Sequence, residues 1–254
     1  MLEVFIIFDL TIIQGVIVGL CAIFIGFTKT GIPSLGVLVV TIFMFIFPAK
    51  ESVGILLPLL IVGDIFSVIY YRRNVIWKYL VFLIAWVLMG IIMGYFILEH
   101  VNSDQLKPII GILVLVLIML QVSREKFGEK FNQTLPKATW FTGLMGISAG
   151  FATMIGNAAG GVMAIYLLVK GLPKKEFVGT SAWFFLTVNL IKVPFYLQLN
   201  LITLESITFN AKFVLLVILG AVVGVKLLPI IPQRTFQILI LAFTFLGALR
   251  LIIP

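Results

Sequence analysis

Charge is what this chain has least of: 18 Lys and Arg with 10 Asp and Glu make 11% of 254 residues, where soluble domains carry about 25%. A water-compatible surface cannot be assembled from so few charges beside 62% apolar residues, which excludes soluble enzymes and soluble binding modules. Mean hydropathy is +1.24. Cysteine is nearly absent, and Cys21 alone permits neither an intrachain disulfide nor a CxxC site. The single histidine, His100, sits with Glu99 and Asp104 in a connecting segment and reads as a surface residue, so no metal site is expected. There is no P-loop, which excludes direct use of ATP, and no cofactor is expected. Paired intramembrane aspartates, a Ser/His dyad and an HExxH helix are lacking as well, so the chain is not expected to be an enzyme. Residues 1–10 hold Glu3 and Asp9 but nothing basic; without the n-region of a cleaved signal peptide, the first apolar segment is expected to stay in the mature chain.

What the chain does have is long apolar runs. Ten of them stand out, at 4–27, 31–47, 52–71, 79–98, 108–122, 138–155, 156–170, 177–199, 212–231 and 235–253. The net charge of +8 is spread through the gaps between them, as loop charge is in a membrane protein, and forms no nucleic-acid patch. Crossing a hydrocarbon core of about 30 Å takes about 20 helical residues. The second and seventh runs are shorter and open on Gly31-Ile32-Pro33-Ser34-Leu35-Gly36 and Gly156-Asn157-Ala158-Ala159-Gly160-Gly161, which predicts partly unwound starts. About five extended residues at ~3.3 Å and a dozen helical ones at ~1.5 Å reach roughly 34 Å, just enough to cross. If all ten runs cross, 13 Lys and Arg lie on one side and 4 on the other; if the two broken runs dip in and return, the split is 9 to 8. The positive-inside rule favours ten crossings with both termini outside. Eight full helices with two partial ones would be nearly the same object.

The chain also repeats itself. An offset of 125 lays Pro48-Ala49-Lys50-Glu51-Ser52-Val53-Gly54 on Pro173-Lys174-Lys175-Glu176-Phe177-Val178-Gly179, with Pro, Lys, Glu, Val and Gly shared, and lays Gly31 on Gly156 and Gly36 on Gly161. An offset of 130 lays Gly90 and Gly94 on Gly220 and Gly224. Such coincidences in halves of this size predict a duplication. Five elements is an odd number, so the second half enters the membrane from the opposite face. The expected fold is an all-α polytopic membrane protein of two inverted-topology repeats, 1–122 and 138–254, joined by a cytoplasmic linker at 123–137, each repeat holding one broken helix. That is the architecture of secondary transporters.

A glycine-rich break near the start of each half, followed seventeen residues later by Pro-x-Lys-Glu-x-Val-Gly, resembles the TauE/SafE sulfite exporter family over essentially the whole chain. The resemblance implies transport of small sulfur-containing or related organic anions, such as sulfite, sulfoacetate or thiosulfate-like species, without ATP hydrolysis.

Residues suited to hold an anion cluster at the breaks. A helix that starts inside the membrane presents unpaired N–H groups and a partial positive charge, and glycine lets a ligand approach the backbone. Gly31, Gly156 and Gly160 serve that purpose, while Thr28, Thr30, Ser34 and Asn157 add hydroxyl or amide hydrogen bonds. The competing reading gives the glycines to helix packing and the small polar side chains to back-bonding. Lys29 is either an attractor of anions or one more cytoplasmic anchor. Asp64 and Lys192 lie inside apolar runs, where an ionisable group is costly and marks function. They are expected to pair, or Lys192 to hold the anion while Asp64 exchanges a proton; outward snorkelling of Lys192 is the milder alternative. Glu51 and Glu176 read as first-turn acids complementing a helix dipole. Gly15/Gly19, Gly146/Gly150 and Gly90/Gly94 read as packing pairs. Trp77, Tyr79 and Trp140 stand where interface anchors belong.

The function expected from these features is a secondary transporter in the cytoplasmic membrane that moves a small anion by alternating access, coupled to an ion gradient. Its expected partners are the anionic substrate and the lipid bilayer, with no nucleic acid; homo-oligomers are allowed but not indicated. A channel or uniporter of the same fold, or a non-transporting assembly factor, are the alternatives, and trans-stimulated counterflow separates carrier from channel.

Overall fold

The computed structural model describes residues 10–33, 36–106 and 139–232, with the isolated positions 108, 109, 112, 235, 238, 239 and 242. The expected linker 123–137, most of the fifth and tenth apolar runs, and Ser34 lie outside the described residues. The helices whose bounds they contain are α1 (Ile12–Thr30), α2 (Gly36–Ile46), α3 (Ala49–Tyr71), α4 (Trp77–His100), α5 (Thr139–Gly156), α6 (Ala159–Val169), α7 (Lys174–Gln198), α8 (Leu204–Ala211) and α9 (Val214–Leu227). Among the described residues, α1, α3, α4 and α7 are long and apolar enough to cross a membrane, and the bent pair α8–α9 adds a fifth if it forms one span. This all-helical arrangement fits a polytopic membrane protein.

Local chemistry sets the helix ends. Thr11 caps α1 in a reciprocal box with Gln14. Pro48 and Pro173 stand at the N-caps of α3 and α7, each followed by an acid in the first turn, Glu51 and Glu176. The carboxylates favour the positive helix end there, and neither forms an ion pair among the described residues. The break between α1 and α2 begins at Gly31, as expected. The second break is shorter than the sequence predicts: only Asn157 and Ala158 leave the helix, and Ala159, Gly160 and Gly161 already belong to α6. Asn157 has a φ of 52°, in the left-handed region that Asn tolerates. Helix α8 was not expected, because Glu205 and Lys212 interrupt the apolar pattern; a Thr203–Ser206 capping box starts it, and a 54° bend joins it to α9.

Helices α3 and α7 are the most enclosed spans and pack against each other at the centre, whereas half of the residues of α4 are exposed. Around them α4 packs along α5, and α9 along α1. Glycine allows both contacts. A methyl group at Gly90 or Gly150 would collide with the Ile147 or Val87 carbonyl, and one at Gly26 or Gly220 with the Val217 or Ile23 carbonyl. Exposed Val81, Phe82, Ile92 and Phe96 on α4, and Ile13, Val16, Leu20 and Phe24 on α1, give the outside of the bundle an apolar face. Trp77 and Trp140 are exposed as well.

The connections gather at two ends. At one, Lys174 donates to the Leu228 carbonyl, Tyr166 to the Tyr79 carbonyl, and Asn74 lies against Gly179. At the other, the Lys50 amide donates to Ser103, Asn210 to the Ile55 carbonyl, and Leu201 lies against Gly54.

Candidate functional site

Two faces of polar residues cross the apolar core. On α3, Asp64, Ser67 and Tyr71 follow one another at spacings of three and four; on α7, Asn189, Lys192 and Tyr196 do the same, so each set shares one side of its helix. All six are buried. The faces meet where Asn189 Nδ2 donates to Asp64 Oδ2 at 2.6 Å. The other carboxylate oxygen lies 2.7 Å from Lys29 Nζ, which reaches inward from the last turn of α1 and stands 4.4 Å from the centre of the Phe185 ring. Gly63 makes room for this side chain, since a methyl group there would stand 2.9 Å from Lys29 Cγ. Lys29 is 9% exposed and Asp64 0%. Of the two readings of Lys29, the structure has it turned into the core and not out as an anchor.

Lys192 does not pair with Asp64. Its ammonium donates to the Thr153 carbonyl at 3.0 Å, to Thr153 Oγ1 at 3.1 Å and to Asn157 Oδ1 at 2.5 Å. At 0% exposure it does not snorkel. The physical reason is position: three residues further along α7 than Asn189, it falls beside the C-terminal end of α5 and leaves the carboxylate to Lys29. Other side chains on these faces also clasp the helix ends. Ser67 donates to the Lys29 carbonyl at 2.6 Å, Tyr71 to the Thr30 carbonyl at 3.2 Å and Tyr196 to the Met154 carbonyl at 2.7 Å. A broken helix leaves such carbonyls without intrahelical partners, so these bonds hold α1 and α5 at their breaks.

Between the breaks lies a central cavity of about 30 Å³. At roughly 10–15 Å³ for each water-sized sphere, it has room for about two waters. Thr28, Lys29, Thr153, Ser181, Phe185 and Asn189 line it, and so do Asn157, Gly36 at the start of α2 and Gly160 in the first turn of α6. Ala158, the N-cap of α6, makes no side-chain cap hydrogen bond, and the first N–H groups of a helix have no intrahelical partner. Ser181 is 2% exposed, and its hydroxyl has no hydrogen-bond partner among the described protein groups.

The expected site residues divide accordingly. Thr28, Lys29, Asn157 and Gly160 line the cavity, Asp64 is bonded to Lys29, and Lys192 to Asn157. The Thr30 hydroxyl is turned to the Ala221 carbonyl at 2.8 Å, while Gly31 and Gly156 shape the breaks without lining the cavity. Ser34 lies outside the described residues.

The family model described as Sulfite exporter TauE/SafE matches residues 15–251. The chain belongs to the TauE/SafE family. Comparisons with curated proteins and with solved structures give no match. TauE/SafE membership makes this a membrane transporter of the sulfite-exporter type, and TauE/SafE proteins are transporters rather than enzymes. Among the cavity residues of this TauE/SafE chain that sequence reasoning did not assign to the site are Thr153, Ser181, Phe185 and Asn189. Two signals pointed to them. The 125 offset lays Thr28 on Thr153, and Ser181, Phe185, Asn189 and Lys192 recur at spacings of four, four and three along one face of α7.

Proposed function

We propose that this TauE/SafE protein is a multi-pass secondary transporter of the cytoplasmic membrane, which carries small sulfur-containing or organic anions such as sulfite or sulfoacetate by alternating access. One observation carries the reading. Two lysines and one aspartate are buried together, a formal excess of one positive charge when all three are ionised, beside a cavity onto which the first turns of α2 and α6 open. An uncompensated buried cation is costly, and an anion bound against Lys29 and the helix N-termini relieves it. Thr28, Ser181 and Asn157 supply neutral hydrogen bonds to the same space. Lys192 contributes its field through Asn157, since its own donors are engaged. Asp64 is the coupling group: a proton taken there releases Lys29 to the substrate.

Two inverted repeats give the reading its mechanical basis. Supporting them, Asp64 and Asn189 correspond at the 125 offset and touch, as residues beside a two-fold axis do. Ser67 and Lys192, and Tyr71 and Tyr196, also correspond, and they clasp the ends of α1 and α5 in parallel. Charge supports the orientation. Arg72, Arg73, Lys78, Lys170, Lys174, Lys175 and Lys226 belong to connections at one end, and among the described residues only Lys50 and Lys212 belong to the other. The richer end is the cytoplasmic one.

The test is flux of sulfite, sulfate, thiosulfate, sulfoacetate and a neutral control into proteoliposomes, with and without a pH gradient. Selective anion uptake that responds to the gradient is expected. Equal permeation of the neutral solute, or no substrate-dependent flux, would contradict the proposal.

A further inference from the structure

We propose that the oxygens around Lys192 form a monovalent-cation site that this chain keeps filled with its own ammonium. Three acceptors, the Thr153 carbonyl, Thr153 Oγ1 and Asn157 Oδ1, surround Nζ at 2.5–3.1 Å, matching the three donors of an ammonium group. The Tyr196 ring closes a fourth direction with its centre 5.3 Å from Nζ, a distance at which a ring face attracts a cation. The cage is built rather than incidental. Asn157 Nδ2 donates to the Val53 carbonyl at 2.9 Å, which turns Oδ1 toward Lys192, and the left-handed backbone at Asn157 fixes where that side chain starts. The Thr153 carbonyl belongs to the last turn of α5, the negative end of that helix. Carbonyls at the end of a discontinuous helix are the groups with which transporters coordinate monovalent ions. No carboxylate among the described residues contacts Nζ.

On α3 the position corresponding to Lys192 is Ser67, whose hydroxyl bonds the Lys29 carbonyl. The equivalent place therefore accommodates a serine, and Lys192→Ser opens the cage while adding one more oxygen to it. The wild-type protein then handles its substrate without a dissolved cation at this place, whereas the serine variant must recruit one. The link to substrate rests on the proposed anion site, because Asn157 lines the central cavity as well as the cage.

Thermal unfolding of the purified full chain tests this, in choline, sodium, potassium and ammonium chloride at equal ionic strength. For Lys192→Ser, at least one of the three small cations is expected to raise Tm saturably over choline, and to restore anion flux in proteoliposomes. The wild type and Lys192→Met, whose thioether fills the lysine channel without a charge, are expected to melt alike in all four salts. A Lys192→Ser protein with one Tm in every salt, or unfolded in every salt, would overturn the proposal, and so would the same cation response in Lys192→Met. Failure of the wild type to carry any anion would instead remove the transport reading and leave the melting comparison intact.

Discussion

At the scale of single residues, Asp64 governs the centre, since its buried carboxylate holds Lys29 and Asn189 together. Removing one member of a buried ion pair costs about 3–5 kcal/mol, because the other is left uncompensated. Asp64→Asn is therefore expected to lower unfolding stability by roughly that amount. It should also make anion flux insensitive to a pH gradient; flux that still follows the gradient would take Asp64 out of the coupling. Lys29→Gln keeps a hydrogen-bonding side chain without the charge. With charge-assisted bonds worth about 1.5–3 kcal/mol, substrate affinity should fall roughly 10- to 100-fold. Substrate-dependent stabilisation of the purified protein measures this. Asn157 separates backbone from side chain. Both Asn157→Gly and Asn157→Ala lose the bond to Lys192, but alanine at a φ of 52° adds about 1–2 kcal/mol of steric cost, so melting temperatures should rank wild type, then Gly, then Ala. These polar residues were legible because each interrupts an apolar run. Their partners were not: Asp64 and Lys192 face the same core, and only the crossing of α3, α7 and the two broken helices decides that Lys29 reaches the carboxylate.

At the scale of elements, the breaks could be read from glycine and proline, yet their lengths could not. Glycine permits an unwound chain without requiring one, and at Ala159–Gly161 the packing of α6 in the core keeps the helix intact. Helix α8 escaped notice because eight residues carrying Glu205 cannot make an apolar run; its start is written in the Thr203–Ser206 box and in nothing longer-range. Of the glycine pairs that the sequence assigns to packing, Gly90/Gly94 and Gly146/Gly150 stand at close contacts between helices. A Gly150→Leu change at the α4–α5 contact, or Gly26→Leu at the α1–α9 contact, forces the backbones apart. Each should destabilise by at least the 1–3 kcal/mol typical of overpacking. Leu20→Val on the exposed face of α1 should change melting very little by comparison.

At the scale of the whole molecule, membrane insertion followed from composition alone, and the approximate helix order from the spacing of charges. The sequence predicts a duplication from the seven-residue match of 48–54 to 173–179, and the proposed repeat would bring Asp64 beside its counterpart Asn189, which it touches. The proposed opposed orientation has a direct consequence. Single cysteines placed at Lys50 and Lys175, which correspond at the 125 offset, should react with a membrane-impermeant thiol reagent from opposite sides of sealed vesicles, with buried Cys21 silent in both. Labelling of both from one side would contradict the inverted repeat.

In the proposed mechanism, the buried excess of positive charge holds a mobile anion on its way across the membrane. Counterflow of labelled sulfite in proteoliposomes, wild type against Lys29→Gln, tests it most directly. Internal unlabelled sulfite should drive transient accumulation of label in the wild type and fail to do so in the variant; equal accumulation in both, or none in either, would contradict the account.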